Sequence, residues 1–464
     1  MSTERIIAIL LSIGLLGGLL GFGIFSIATA NTMRPGDSIE LQLDEVQTFN
    51  NIVLREPGVA YGQPGNVRLF HIEAYLDGQW EKIYGSDVIG AFRMCVVDEV
   101  QASAIRLTIA ETARRRRVQV PEMEVALQEP VERDAPFRVV GYFHPNVFIY
   151  DDIANYADQF DTVTHAIYIG NTQLFADEDG RPTLVRNAAS PQNIADLQAA
   201  IGDRDVKLFV SLTCGERING LNPLTDDPED IARLAQQAFD IAMEHGLAGV
   251  EVNFEGTWAN SRAHRAGYSM LIEQLGSMLH EVGKQIMVSV IPSYRFTVQA
   301  LETLDYINIM TYDHSDTEQV WHSTYNAMLR DIYLLAVRGV PLIDAQGNNL
   351  TCACAHMPFP RERLNGGVPF YGMGNLGGVR EWNRTFSFQH IYRQADGDFN
   401  PHANYCFVTY SYYNGPTTIR DKTAYMMIHA DIGGIMIWAL NHDVEFENEH
   451  SLLRTIQNTI DMFS

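Results

Sequence analysis

The sequence predicts an α/β protein: a TIM (β/α)8 barrel preceded by a β-sandwich. Three observations predict it. Beyond residue 137, eight short apolar runs alternate with helical segments. Those segments carry the 3.6-residue apolar period of helices packed on one face. Before residue 130 the pattern is different, with short two-residue alternations punctuated by Gly, Pro, Asp and Asn. Eight β-α repeats favour a closed barrel over a doubly wound sheet.

The β-rich part runs from 37 to 130. Its strand candidates are Ile39–Leu43, Asn51–Leu54, Val67–Tyr75 and Ala104–Ile109. Residues Gln128 to Pro136 read as a linker rich in acids and proline. The barrel then occupies 137–464. Its expected strands are 138–142, 164–169, 207–211, 249–255, 285–290, 306–310, 368–371 and 434–438. One intervening helix spans Asp227 to His245, with Pro228 at its start and Gly246 just past its end. Another spans Ala263 to Val282.

Residues 1–36 form a separate N-terminal segment. Within it 6–28 is an uncharged apolar run behind Arg5. Its length suffices to span a bilayer, while Ala28-Thr29-Ala30 has the small residues of a cleavage site. A signal peptide and a membrane anchor are both open. Either one places the remainder outside the cytoplasm, secreted or membrane-anchored.

The chain has 464 residues and a formal net charge of −24. Such a surface repels phosphate backbones, so nucleic acid is not the expected partner. The basic run Arg114–Arg117 reads as a solvated turn or strand end. Five cysteines at positions 95, 214, 352, 354 and 406 match no zinc spacing. A disulfide in the 352–354 region is open. No metal or organic cofactor is implied.

Function is expected at the C-terminal ends of barrel strands. The fourth strand carries Glu251, Asn253 and Glu255, alternating with Val250, Val252 and Phe254. Alternation puts the three polar side chains on one face. Two carboxylates and an amide inside a β-rich apolar segment are costly unless bonded or used. Other strand ends offer Tyr142, Ser211, Met310-Thr-Tyr312-Asp313, Tyr371 and Trp438 with Asn441. Acids, tyrosines and a tryptophan on one rim suit a sugar. Aromatic faces stack on pyranose rings, and carboxyl or phenol groups bond the hydroxyls.

These residues resemble glycoside hydrolase family 18, the chitinases and endo-β-N-acetylglucosaminidases. The family pattern D-x-x-D-x-D-x-E falls on Ala248, Glu251, Asn253 and Glu255. M-x-Y-D falls on Met310 to Asp313, P-F-Y-G on Pro369 to Gly372, and GG-x-x-x-W on Gly433 to Trp438. T-x-x-x-K is echoed by Thr418 to Lys422. The resemblance covers about 137–445 and implies substrate-assisted retaining hydrolysis of an N-acetylglucosamine-containing glycan. It makes Glu255 the acid/base and puts Asn253, Glu251, Tyr312 and Asp313 around the reacting sugar. Trp438 would be the floor beneath the ring. Met310 and Tyr371 would contact substrate, and Tyr142 and Ser211 would be partners of the acidic row. Tyr268, Trp258, Trp321 and Trp382 read as packing or surface residues rather than outer subsites.

The strand 4 pattern also departs from the family. Asn253 replaces an acid. Its amide oxygen accepts a hydrogen bond but supplies no charge to a developing cation. Losing one electrostatic stabiliser costs on the order of 10²- to 10³-fold in rate. A catalytically weak, glycan-binding relative is therefore the alternative expectation. The β-rich region, by "VQTFNNIVLRE", "VRLFHIEAYLDGQWEKI" and "ASAIRLTI", resembles the later part of discoidin-type sandwiches. That implies glycan or lipid-headgroup binding. The family's opening segment, which supplies binding loops, is missing, so a packing or spacer role stands beside it.

Overall fold

A computed structural model describes residues 32–61, 63, 65–144, 153–169, 172–214, 224–255, 261–314, 322–352, 354–376, 379–395 and 397–464. The apolar run 6–28, Trp258 and Trp321 lie outside the described residues, as does the side chain of Trp382. Among the described residues no helix is long and apolar enough to cross a membrane.

The β-rich region forms one five-stranded antiparallel sheet, with the strands Gln79–Ser86, Val67–Leu76, Arg93–Thr112, Ser38–Arg55 and Glu122–Ala126 side by side. A two-stranded patch pairs Thr32–Met33 with Val118–Gln119. The two long strands bend at bulges, one of them between Gln42 and Gln47. Bulges increase local twist and let one sheet curl over its own core. That core contains Phe49, Ile52, Phe70, Ile72, Cys95 and Ile105. Arg114–Arg117 sits exposed in the turn after the longest strand.

The barrel strands are Arg138–Phe143, His165–Tyr168, Lys207–Cys214, Gly249–Asn253, Gln285–Val290, Tyr306–Ile309, Leu364–Pro369 and Gly434–Trp438. Each pairs in parallel with the next, and the eighth pairs with the first, so the barrel is closed. Seven strands fall where the sequence placed them. The seventh begins four residues earlier than expected. Tyr371 lies just past it and opens an inserted antiparallel sheet, Tyr371–Leu376 against Val379–Ser387 and Ser411–Tyr412.

The helix Pro228–Glu244 starts from Asp227, whose side chain accepts from the Glu229 and Asp230 amides at 2.8 and 3.4 Å. Two shells of apolar packing hold the barrel. The outer one lies between strands and helices. The inner one fills the lumen with Val140, Tyr142, Phe209, Met287, Met310, Tyr312 and Met436. Cys352 and Cys354 are joined by a disulfide, and Cys95 and Cys406 are free thiols.

Candidate active site

The fourth barrel strand brings Glu251, Asn253 and Glu255 to one end of the lumen. Strand pairing sets Glu251 beside Ser211 and Asn253 beside Thr213. Two tyrosines fix the backbone between them. Tyr268 donates to the Val252 carbonyl at 3.0 Å, and Tyr294 to the Phe254 carbonyl at 2.5 Å. Tyr268 is thus a buried packing residue that clamps the strand.

Glu251 is fully enclosed and sits in a nest of hydroxyls. Ser211 donates to it, and Ser289 and Tyr142 also hydrogen-bond to it; Tyr142 and Ser289 bond each other. Burial pushes its carboxyl up to about 7. The hydroxyl bonds pull it down, and the nearby Glu255 charge pushes it up. The group therefore changes ionisation near neutral pH.

Asn253 is buried. Its amide bonds the Glu255 carboxylate, and its Oδ1 is left without a hydrogen-bond partner. A buried amide oxygen with no partner is costly in a closed core and ready for a donor from outside. Glu255 itself reaches solvent at the strand end. Protein still surrounds it closely enough that desolvation raises its carboxyl above the ordinary value. Asn253 pulls the value down and the Asp313 charge adds to the rise. A raised proton affinity is the direction that a general acid requires.

Across the lumen, Met310, Tyr312 and Asp313 leave the sixth strand. The Tyr312 hydroxyl lies 3.6 Å from the Met436 sulfur. Gly367 lets the seventh strand approach this turn. A Cβ there would fall 2.5 Å from the Ile309 carbonyl and 2.9 Å from the Tyr312 ring. Asp313 has φ +59°, in the left-handed region where Asp is among the tolerated residues. Its Oδ1 accepts from the Tyr371 hydroxyl at 2.5 Å and lies 3.0 Å from His322 Nδ1. Trp438 packs on Tyr142, ring centres 5.1 Å apart, at the edge of the lumen cluster.

All ten residues singled out from the sequence therefore line or buttress one end of the barrel. Sequence reasoning missed Ser289, Tyr294 and His322. Ser289 had a signal, since a hydroxyl within the apolar strand Gln285–Val290 shares a face with Met287. Tyr294 and His322 come from connections, where no periodicity marks a side chain. Among the described residues no group of three or more His, Cys, Asp or Glu is placed to hold a metal ion.

The model of glycosyl hydrolases family 18 matches residues 138–443. The chain belongs to glycosyl hydrolase family 18. Its enzyme class is accordingly that of a chitinase-type glycosidase. Solved structures agree on the barrel. The family 18 chitinase ChiB from the chitin utilization locus of Flavobacterium johnsoniae is 23% identical, with a TM-score of 0.52 over 70% of this chain and 94% of its own. A chitinase from Bacteroides thetaiotaomicron is 19% identical, with a TM-score of 0.54 over 70% and 97%. A Cycas revoluta family 18 chitinase solved with (GlcNAc)3 is 15% identical, with a TM-score of 0.53 over 69% and 99%. No curated protein matches the chain. The family match begins at residue 138, and the discoidin resemblance of the preceding sheet gains no support from it.

Proposed function

We propose that this family 18 protein hydrolyses β-1,4 linkages beside N-acetylglucosamine, in a glycan of the chitin, peptidoglycan or N-glycan type. Glu255 carries the reading. It is a solvent-reaching carboxyl whose proton affinity is raised by its surroundings, at the end of the one barrel strand that is lined with acids. Glu255 donates its proton to the glycosidic oxygen as the C1–O bond breaks. The acetamide carbonyl of the same sugar attacks C1 and forms an oxazolinium ion. Glu255, now a carboxylate, takes a proton from water, which attacks C1, reopens the ring and leaves the anomeric configuration retained.

The unpartnered Asn253 Oδ1 supports acceptance of the acetamide N–H. Glu251, when ionised, supplies the charge that Asn253 lacks. Tyr312 and Asp313 bond the sugar from the opposite wall, with Trp438 as its floor. We further place the working domain outside the cytoplasm, secreted or held by residues 6–28.

Asn253 also favours a second reading, a glycan-binding protein with little turnover, because a neutral amide stands where the resemblance expects an acid. Turnover of defined N-acetylglucosamine oligomers and peptidoglycan fragments separates the two. On the first reading the protein cleaves at least one of them. Glu255→Gln then lowers the rate by about 10²- to 10⁴-fold, the usual worth of general acid–base catalysis, while calorimetric binding survives. Binding without turnover by the unmodified protein establishes the second reading.

A further inference from the structure

A buried lysine stands behind the acidic site. Lys422, on the helix Pro416–Ala424, is fully enclosed. Its ammonium donates to Asn414 Oδ1 at 2.7 Å, to Ser323 Oγ at 2.8 Å and to the Ser323 carbonyl at 3.2 Å. None of these acceptors is a carboxylate. A cation buried among neutral acceptors is expensive, so the position calls for a reason. Burial lowers its proton affinity, to a pKa of about 7.

The acceptors show what it holds. Ser323 follows His322 directly. The Ser323 hydroxyl lies 3.2 Å from the Thr311 carbonyl, and Thr311 immediately precedes Tyr312 and Asp313. Asn414 doubles the clamp by donating to the Ser323 carbonyl at 2.9 Å. The ammonium therefore fixes Ser323, whose hydroxyl ties its own segment to the one that delivers Asp313, and Asp313 meets His322 at 3.0 Å.

The adjoining residue is gripped from another domain. Asp421 accepts from Arg93 Nη2 at 2.8 Å, from the Val96 amide at 3.0 Å and from the Tyr84 hydroxyl, all in the N-terminal sheet. Successive residues of one short helix thus connect the sheet to the barrel mouth.

We propose that Lys422 is a positioning residue of the active site, holding the Thr311–Asp313 and His322–Ser323 segments so that Asp313 faces substrate, on a helix that the N-terminal sheet keeps in place through Asp421. The inference rests on the reading of Asp313 as a residue that touches the sugar.

The test is a double-mutant cycle of Lys422→Met with Asp313→Asn, read by hydrolysis of an N-acetylglucosamine oligomer. A misplacement near 1 Å costs roughly 10²-fold, so Lys422→Met alone should lower kcat by about that factor with KM little changed. In the Asp313→Asn background the same change should cost less than about threefold, because coupled residues are not additive. Equal losses in both backgrounds overturn the proposal. Ser323→Ala repeats the cycle with a milder change that leaves the lysine its Asn414 bond, should Lys422→Met not fold. Hydrogen exchange gives a readout independent of turnover. Lys422→Met should speed exchange at 311–314 and 322–324 and leave the other barrel strands protected. No local change, or a change spread over the whole barrel, overturns the proposal. If the unmodified protein hydrolyses nothing, the proposed function fails, and exchange still decides the role of Lys422.

Discussion

Glu251 and Glu255 share one face of the fourth strand and its end, and burial raises the proton affinity of both. Glu251 is enclosed, with its carboxyl raised from 4.5 to about 7. The native state therefore keeps a proton that the unfolded chain has released. Its contribution to stability is full below the unfolded value and is lost as pH rises through the folded one. The shift corresponds to about 3 kcal/mol between those limits. Glu251→Gln should flatten this fall, seen as a urea midpoint that changes less than the wild-type midpoint between pH 4.5 and 8. Asp313→Asn removes the negative neighbour that raises the Glu255 carboxyl. The acid then ionises sooner, and the basic limb of kcat/KM should move to lower pH; an unmoved limb means the two carboxyls are not coupled. Asn253→Asp acts in the opposite direction. A new carboxylate beside Glu255 raises its proton affinity and moves the basic limb up. It also restores charge for the oxazolinium, with an expected gain on the order of tenfold to 10²-fold in kcat. A loss in kcat would mean that the amide is matched to this protein's own substrate.

At the scale of elements, the sequence was most readable where local chemistry and packing agree. Pro228 and Gly246 bracket a helix found at Pro228–Glu244, and Gly246 has φ +61°, just past its end. Asp227 is the cap, and Asp227→Ala should cost about 1 kcal/mol, read as a lower urea midpoint with an unchanged slope. The seventh barrel strand was misplaced for a physical reason. Its first residues, Leu364-Asn-Gly-Gly, look like a turn, because Asn and Gly disfavour strands. The glycine is there for the approach of Tyr312, a contact between strands that no local pattern reveals. The apolar Val368-Pro-Phe-Tyr371 read as the strand instead, and its last residue belongs to the insertion. The site followed the same rule. The acidic row was legible because period-two alternation exposes polar residues in a buried strand. His322 and Lys422 were not legible as parts of it, since their contacts join residues 9 and 99 positions apart. Lys422 had entered only as the last letter of a motif.

The whole molecule differs most from what a linker at 128–136 suggested. That segment separates two patterns in sequence, but the two regions are not separate in space. The strand Arg93–Thr112 begins with residues buried on both faces. Cys95 belongs to the sheet's own core, whereas Phe92, Met94 and Val96 belong to the barrel's. Between them Arg93 is completely buried. It bonds Ser86 at 2.6 Å and Asp421 at 2.8 Å, and its guanidinium lies 4.5 Å from the centre of the Tyr325 ring. The Tyr325 hydroxyl in turn accepts from the Met94 amide at 3.3 Å. Alternation alone could not have announced this, because an arginine in a strand reads as a solvent-facing residue. Removing one partner of a buried ion pair leaves the other charge enclosed and uncompensated, which costs about 3–5 kcal/mol. Arg93→Met should therefore destabilise the protein by that amount. Because Asp421 sits on a barrel helix, the loss should appear in the unfolding of both regions together, as one cooperative transition shifted to lower urea, followed by tryptophan fluorescence and far-ultraviolet circular dichroism. Two separated transitions, with the barrel's midpoint unchanged, would show that the sheet is only a passenger on the barrel.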